Sequence, residues 1–401
     1  MDTSPKAEKQ AAERALVDWA GSFVPDLRAA RADVDEAART PDALAARMED
    51  AGVWKMMVPE IYGGMHSSLL TWMRVVTELG RGDAGVAWGV TLNSACAWMA
   101  AGFYPRAVVD EVFAQPGVRL AGVFSDRAVK ARPVAGGIHV DKGMWFFNSG
   151  VHQADWNMLG VPMFDAEGRP IGPGIALVPM KDVRLLDDWD PTGLRGSGST
   201  NVAMEDLFIP AERIVPMLAC IDGSHPMTFP GDPLYKAAFG PLMVLILAYP
   251  VLGAGLHMLE TFVETVARRD IKLTTYARQS EAPVTHLQIG EAAARLAAAR
   301  ALLERACATL DDHARRDAVM PKLERAAITR DSAFANSLVW QAADLLAGAA
   351  GGSWAWSGNE LNRVWQDIKV GTMHPFINAA SNFEAFGGIV TGKDPAIMPF
   401  I

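Results

Sequence analysis

The chain is poor in the residues that build metal and disulfide centres. Its three cysteines, Cys96, Cys220 and Cys307, stand far apart, and no CxxC or Cys/His spacing suited to zinc occurs. Its eight histidines include no HxxxH or HExxH pair, so no metal site is expected. Sparse, separated thiols read as those of a protein kept in a reducing cytoplasm. Positive charge is also short. The formal net charge of −9 leaves no cationic excess to displace counterions, which argues against nonspecific nucleic-acid binding. The opening residues, MDTSPKAEKQAAERALVDW, lack the basic-then-apolar order of a secretory leader. There is no strand–helix alternation and no internal repeat.

What is present is a long, apolar chain. Its 401 residues are 50% hydrophobic and 21% charged, which suits a globular protein of two or three domains with a large core. Residues 237–256 carry no charge and are long enough to span a bilayer, but Pro241, Pro250 and several glycines interrupt them. A helix apolar on all sides reads as one buried inside a bundle.

Texture divides the chain in three. Residues 1–116 are helical in pattern. In "TPDALAARMEDAGVWKMM", Thr40 is expected as N-cap, Pro41 as the first helical residue, and Leu44, Met48 and Val53 fall on a helical period. Residues 117–232 break into short apolar runs punctuated by glycine and proline, which predicts a β domain. Residues 233–401 return to long Ala- and Leu-rich helices.

The segment "DPTGLRGSGSTNVAMEDLFIP" concentrates glycine and serine between Gly193 and Ser199. No lysine follows Gly198, so it is not a Walker loop. Asn201 stands where the dinucleotide fingerprint needs glycine, and Arg195 where a GxSxG elbow needs its first glycine. It reads as a tight connection between strands, with glycines supplying positive φ. His374, in "QDIKVGTMHPF", falls at a helix end, suited either to a structural role or to moving protons. In "WFFNSG", a strand would put Trp145 and Phe147 on one face, packed on a planar ring or on the core.

The helical–β–helical order and four stretches resemble the acyl-CoA dehydrogenase superfold. These are "VPEIYGG" (58–64), the Gly193–Ser199 segment, "LLAGAAGGSWAW" (345–356) and "RVWQDIKVGTMH" (363–374). The resemblance implies an α+β fold: an N-terminal helical domain, a middle β-barrel or sandwich, and a C-terminal helical bundle. Within that superfold, Met373-His374-Pro375 replaces the aromatic-Glu-Gly triplet of many dehydrogenases. His374, the RGSGS glycine Gly198 and "WFFNSG" resemble instead the oxygenase components of two-component flavin-dependent monooxygenases (group D hydroxylases). The alternative within the superfold is an acyl-CoA dehydrogenase with bound FAD.

The hydroxylase resemblance implies reduced FMN or FAD delivered by a separate NAD(P)H-flavin reductase, O2, a C4a-hydroperoxyflavin, an aromatic or heteroaromatic small-molecule substrate, and a homotetramer. It implies His374 and Ser149 as catalytic residues. Trp145, Ser149 and Ser125 would meet the flavin ring, and Arg268, Arg269 or Arg195 its phosphate. Asn93, Cys96 and Trp98 would line the substrate pocket. Asn93 or Cys96 stands where phenol hydroxylases often carry a second histidine, which turns the expected substrate toward an indole-like ring, an amine or a sulfur compound.

Overall fold

The computed structural model describes residues 5–393 apart from 116 and 317. Six helices come first: α1 (Pro5–Ala29), α2 (Arg31–Ala37), α3 (Asp42–Asp50), α4 (Leu69–Gly82), α5 (Ala84–Phe103) and α6 (Arg106–Val112). Eight strands follow: β1 (Leu120–Val123), β2 (Val129–Val134), β3 (Gly137–Trp145), β4 (Trp156–Phe164), β5 (Pro170–Pro179), β6 (Arg184–Leu185), β7 (Val202–Pro210) and β8 (Ile214–Pro216). The short α7 (Met217–Asp222) follows the last strand. The chain ends in α8 (Phe239–Val266), α9 (Pro283–Ala314), α10 (Lys322–Ala349), α11 (Glu360–Thr372) and α12 (Ala379–Val390).

The strands make two four-stranded sheets, ordered β1-β4-β5-β8 and β2-β3-β7-β6. Among the described residues only β1–β4 is a parallel pair. Val140, Trp145, Leu159, Val161, Val178 and Val202 form a core of their own, apart from the helical core. This inward alternation is what the short apolar runs encode.

The uncharged segment lies in α8, the one helix among the described residues long and apolar enough to span a membrane, and it is buried in the bundle. Pro250 inside it cannot donate to the Ile246 carbonyl. Thr91 Oγ1, on α5, donates to that carbonyl instead at 3.3 Å. At the crossing with α4 the backbones meet directly: a Cβ on Gly253 would lie 2.3 Å from the Thr77 oxygen, and one on Gly80 2.7 Å from the Pro250 oxygen. The helix breakers that argued against a membrane span are therefore the points where two neighbouring helices attach.

α5 is the central beam. Asp83 caps it, accepting from the Val86 N–H at 2.9 Å. Every residue of α5 is buried except Leu92, which keeps some solvent contact. Each fully buried Val, Leu or Met stabilises the fold by about 1.5–3 kcal/mol. Near the start of the chain, Pro41 rather than Thr40 occupies the cap position of α3. The Thr40 hydroxyl donates to the Gly196 carbonyl at 3.0 Å, so a longer-range partner wins over the local cap.

Candidate active site

The Gly193–Ser199 segment is more than a strand connection. It joins β6 to β7 but docks on helices from both ends of the chain. A Cβ on Gly193 would lie 2.4 Å from the Gln366 oxygen on α11, and one on Gly196 2.9 Å from Asp83 Oδ1. Leu194 and Gly198 both adopt left-handed backbone, with φ of +57° and +53°. The Leu194 N–H donates to Asp367 Oδ1 at 2.6 Å.

An ion-pair knot lies beside this loop. Arg363 on α11 reaches Asp83 at 2.6 Å, Asp35 on α2 at 3.0 Å and Asp367 at 3.8 Å. Burial opposes charge on Asp83, but the Arg363 guanidinium and the Val86 N–H hold its carboxyl below the usual range. The same guanidinium is itself held protonated, against its burial, by Asp83 and Asp367. Burial, reinforced by Asp83, raises Asp367 to about 7 although Arg363 and the Leu194 N–H oppose it. Burial also lowers His257, on α8, to about 3.

The loop then pairs with the end of "WFFNSG". The Asn148 N–H donates to the Thr200 oxygen at 3.1 Å and the Gly150 N–H to the Ser197 oxygen at 2.8 Å. Between those bonds the Ser149 and Ser199 hydroxyl oxygens stand 2.7 Å apart, and Ser199 and Ser197 another 2.7 Å. All three serines are buried.

His374 follows α11 and caps the turn Pro375–Ile377. Its Nδ1 accepts the Phe376 N–H at 3.2 Å. A neutral ring whose Nδ1 accepts carries its proton on Nε2. Desolvation lowers the His374 pKa from 6.5 to about 4, and no charged neighbour contributes. The ring lies 5.9 Å from Trp88 and 5.2 Å from Phe376. Trp88 precedes Gly89, whose Cβ would lie 3.6 Å from the Gly150 Cα. One turn of α5 thus carries His374 on one side and the Ser149–Gly150 turn on the other. Leu92, one turn further along the Trp88 face, is the open position of that helix.

Several expected site residues are placed differently. Trp145 points into the β core, its indole N–H donating to the Gly160 oxygen at 2.8 Å, so it does not present a face to a ring. The strand ends there, and Phe147, with φ of +62°, is exposed and meets Trp189 edge-on. Trp98 donates to the Leu234 oxygen at 2.9 Å in the helical core. Cys96 packs against Gly122 of β1, and burial pushes its thiol up to about 12. Asn93 straps α5 to the β domain, its Nδ2 donating to the Leu120 oxygen at 2.7 Å and the Gly150 oxygen at 3.4 Å.

The arginines have structural partners. Arg269 holds the Gln279 side chain and the terminal carbonyls of α10, Ala349 at 2.7 Å and Ala350. Arg195 donates to the Asp35 oxygen and to Asp190, both at 2.8 Å. Arg268 and Ser125 are exposed, Ser125 on the loop after β1. Sequence reasoning passed over Ser197, Ser199, Trp88 and Leu92. The alternating serines of RGSGS were visible, but their meeting with Ser149 depends on the fold. No group of three or more metal-ligating side chains occurs among the described residues.

The family model for the acyl-CoA dehydrogenase N-terminal domain matches residues 10–103, and that for its C-terminal domain residues 245–379. The chain is 26% identical over 360 residues to the oxygenase subunit HsaA of a flavin-dependent monooxygenase from Rhodococcus jostii, covering 88% of this chain and 92% of that protein. It is 25% identical over 378 residues to the oxygenase component of p-hydroxyphenylacetate 3-hydroxylase from Acinetobacter baumannii, covering 93% and 88%. Among solved structures it resembles XiaF from Streptomyces sp. in complex with FADH2 and glycerol, at 29% identity and a TM-score of 0.88, covering 98% of each chain.

Proposed function

The chain belongs to the acyl-CoA dehydrogenase family, and from that premise we propose that it is the oxygenase component of a two-component flavin-dependent monooxygenase that hydroxylates an aromatic or heteroaromatic small molecule. Its relatives are oxygenase components and hydroxylases, and the FADH2-bound neighbour shares its fold. One observation carries the choice against the dehydrogenase reading. The position of the usual carboxylate base holds His374, a neutral imidazole with its donor at Nε2 and no charged neighbour acting on it.

The residues present fit a flavin ring. The Ser149–Ser199–Ser197 hydroxyls have three hydrogens and two mutual contacts, which leaves one hydrogen for a ligand. Trp88 and Phe376 add apolar surface beside His374, and Leu92 lies one turn along α5 from Trp88. Reduced flavin, when bound, supplies the electrons that activate O2. Ser149 orients the ring edge. His374 donates a hydrogen bond from Nε2 to an oxygen of the reacting system. As a base His374 is weak, because accepting at Nε2 would require giving up the Nδ1 bond to Phe376 or a proton affinity that burial has removed. A substrate that needs no deprotonation, such as an indole-like ring, an amine or a sulfide, suits this arrangement. Arg269 spends its donors on Gln279, Ala349 and Ala350, whereas Arg195 engages Asp35 and Asp190 through Nε and Nη1.

Partners follow from the same reading: a small-molecule substrate and a separate reductase that supplies reduced flavin. Val284, Leu287, Phe334 and Phe383 expose apolar surface on the C-terminal helices, which supports assembly into a tetramer. Three buried free thiols suit a reducing cytoplasm. The deciding experiment supplies enzymatically reduced FMN or FAD and isotopically labelled O2, with phenols, indoles, amines and sulfides as substrates. Label in an organic product supports the proposal. No labelled product, together with tightly held FAD and acyl-CoA-driven reduction of an electron acceptor, establishes the dehydrogenase reading instead.

A further inference from the structure

Ser149 is held from two sides by groups that the reaction itself does not require. Its neighbours Asn148 and Gly150 are pinned by backbone bonds to Thr200 and Ser197, and the Asn93 amide reaches the Gly150 oxygen. The side chain is then placed by Ser199 at 2.7 Å, and Ser199 by Ser197 at 2.7 Å. Among the described residues, Ser197 Oγ has no hydrogen-bond partner other than Ser199, and Ser199 none other than the two serines. Hydrogen counting sets the direction. If Ser149 donated to Ser199 and Ser199 to Ser197, the last hydrogen would be left buried with no acceptor, a costly arrangement. If both outer serines donated to Ser199, its own hydrogen would be stranded. The remaining pattern runs Ser197 to Ser199 to Ser149 and gives the spare hydrogen to Ser149, where the flavin of the proposed function supplies its acceptor.

We infer that Ser199, backed by Ser197, is a positioning residue that fixes the Ser149 hydroxyl as a hydrogen-bond donor toward the flavin, an assignment that rests on the flavin-dependent reading above. A chain of donors also polarises its last member, which strengthens that donation. The ligand atom that meets Ser149 must then carry a lone pair, and on the oxidised ring N5 is such an atom.

The test compares equilibrium binding of oxidised FMN and FAD with their 5-deaza analogues, in which a C–H replaces N5. The full-length wild-type protein binds the parent flavin about 2- to 10-fold more tightly than the analogue, the range expected for one neutral hydrogen bond. Ser149→Ala brings the ratio to about one. Ser199→Ala does the same with Ser149 intact, and Ser199→Thr, which keeps the hydroxyl, preserves the wild-type ratio. A loop that merely holds the fold would change both affinities by one factor and leave the ratio alone. If alanine at 199 prevents folding, Ser199→Cys, a weak hydrogen-bonding group of similar size, gives the same reading. A wild-type ratio of about one, or a wild-type ratio retained in both Ser199→Ala and Ser199→Cys, overturns the inference. Absence of binding of either parent flavin to the wild type, oxidised or reduced, instead removes the flavin reading itself.

Discussion

Replacing His374 separates three effects that the structure combines in one side chain. The first is capping. Nδ1 accepts the Phe376 N–H at 3.2 Å, a bond that asparagine can reproduce and alanine cannot. His374→Ala therefore costs about 0.5–1 kcal/mol, the low end for a lost cap because the turn is short, and His374→Asn costs little. The second is proton affinity. Burial lowers the folded pKa from 6.5 to about 4, so the unfolded chain takes the proton more readily between those values. The stability that His374 contributes is complete above pH 6.5 and is lost as pH falls toward 4.

Each tenfold in proton affinity is about 1.4 kcal/mol, which sets a ceiling of about 3 kcal/mol; the solvent contact the ring keeps reduces this to about 1–2 kcal/mol. Urea unfolding of wild type and His374→Asn at pH 5 and pH 7.5 measures it, the wild type losing more on acidification. The third effect is chemistry. Both variants should lose oxygenation by about 10²–10⁴-fold, with flavin affinity changed far less, if Nε2–H acts on the reacting oxygen. Because His374 stays neutral across the usual assay range, the wild-type rate should show no limb near pH 6.5 that belongs to it. A limb near pH 6.5 that disappears in His374→Asn, or full activity in that variant, refutes the reasoning.

Three further outcomes follow from the geometry of the loop and the ion-pair knot. Gly198→Ala puts a Cβ 2.8 Å from His152 and 3.0 Å from the Arg39 Cβ at a positive φ, so it should destabilise by about 1–3 kcal/mol in chemical denaturation. Arg363→Leu leaves the buried Asp83 without its cation and Asp35 with Arg31 alone, and a loss of about 3–5 kcal/mol should appear as a large fall in denaturation midpoint or as insoluble protein. Asp367→Asn keeps an acceptor for the Leu194 N–H and removes a carboxylate whose pKa burial raises to about 7. A carboxyl with a raised folded pKa weakens the fold as pH climbs from its unfolded value through 7, so this variant should match or exceed wild-type stability at pH 8.

The order of helices and strands was legible because apolar runs, glycine punctuation and Ala/Leu-rich stretches are local signals. The buried nature of α8 was legible from its breakers, although their use as attachment points for α4 and α5 was not. Site residues were less legible, since a side chain's partner is a property of packing. Asn93 and Cys96 fell on the right helix but face β1, and Leu92 beside them is the open position. Trp145 was placed on a strand with Phe147, yet the strand ends at Trp145 and the indole turns into the β core. Arginine near a phosphate is a sound chemical expectation, and what the pattern could not show is that Arg269 binds the carbonyls that end α10. His374 at a helix end was legible from Pro375; the tautomer that its cap imposes was not.

The Arg363 knot also bears on how this architecture can be altered. One cation serves carboxylates on α2, at the head of α5 and on α11, so residues more than 300 positions apart in the chain form one electrostatic unit. Such a unit cannot be inherited piecemeal. A chimera whose first helices come from one family member and whose last helices come from another divides it, and the parts are interchangeable between proteins that share Asp35, Asp83 and Arg363 as a set. Gene shuffling within the family therefore has a built-in seam to avoid, at the joint against which the Ser149 turn is built.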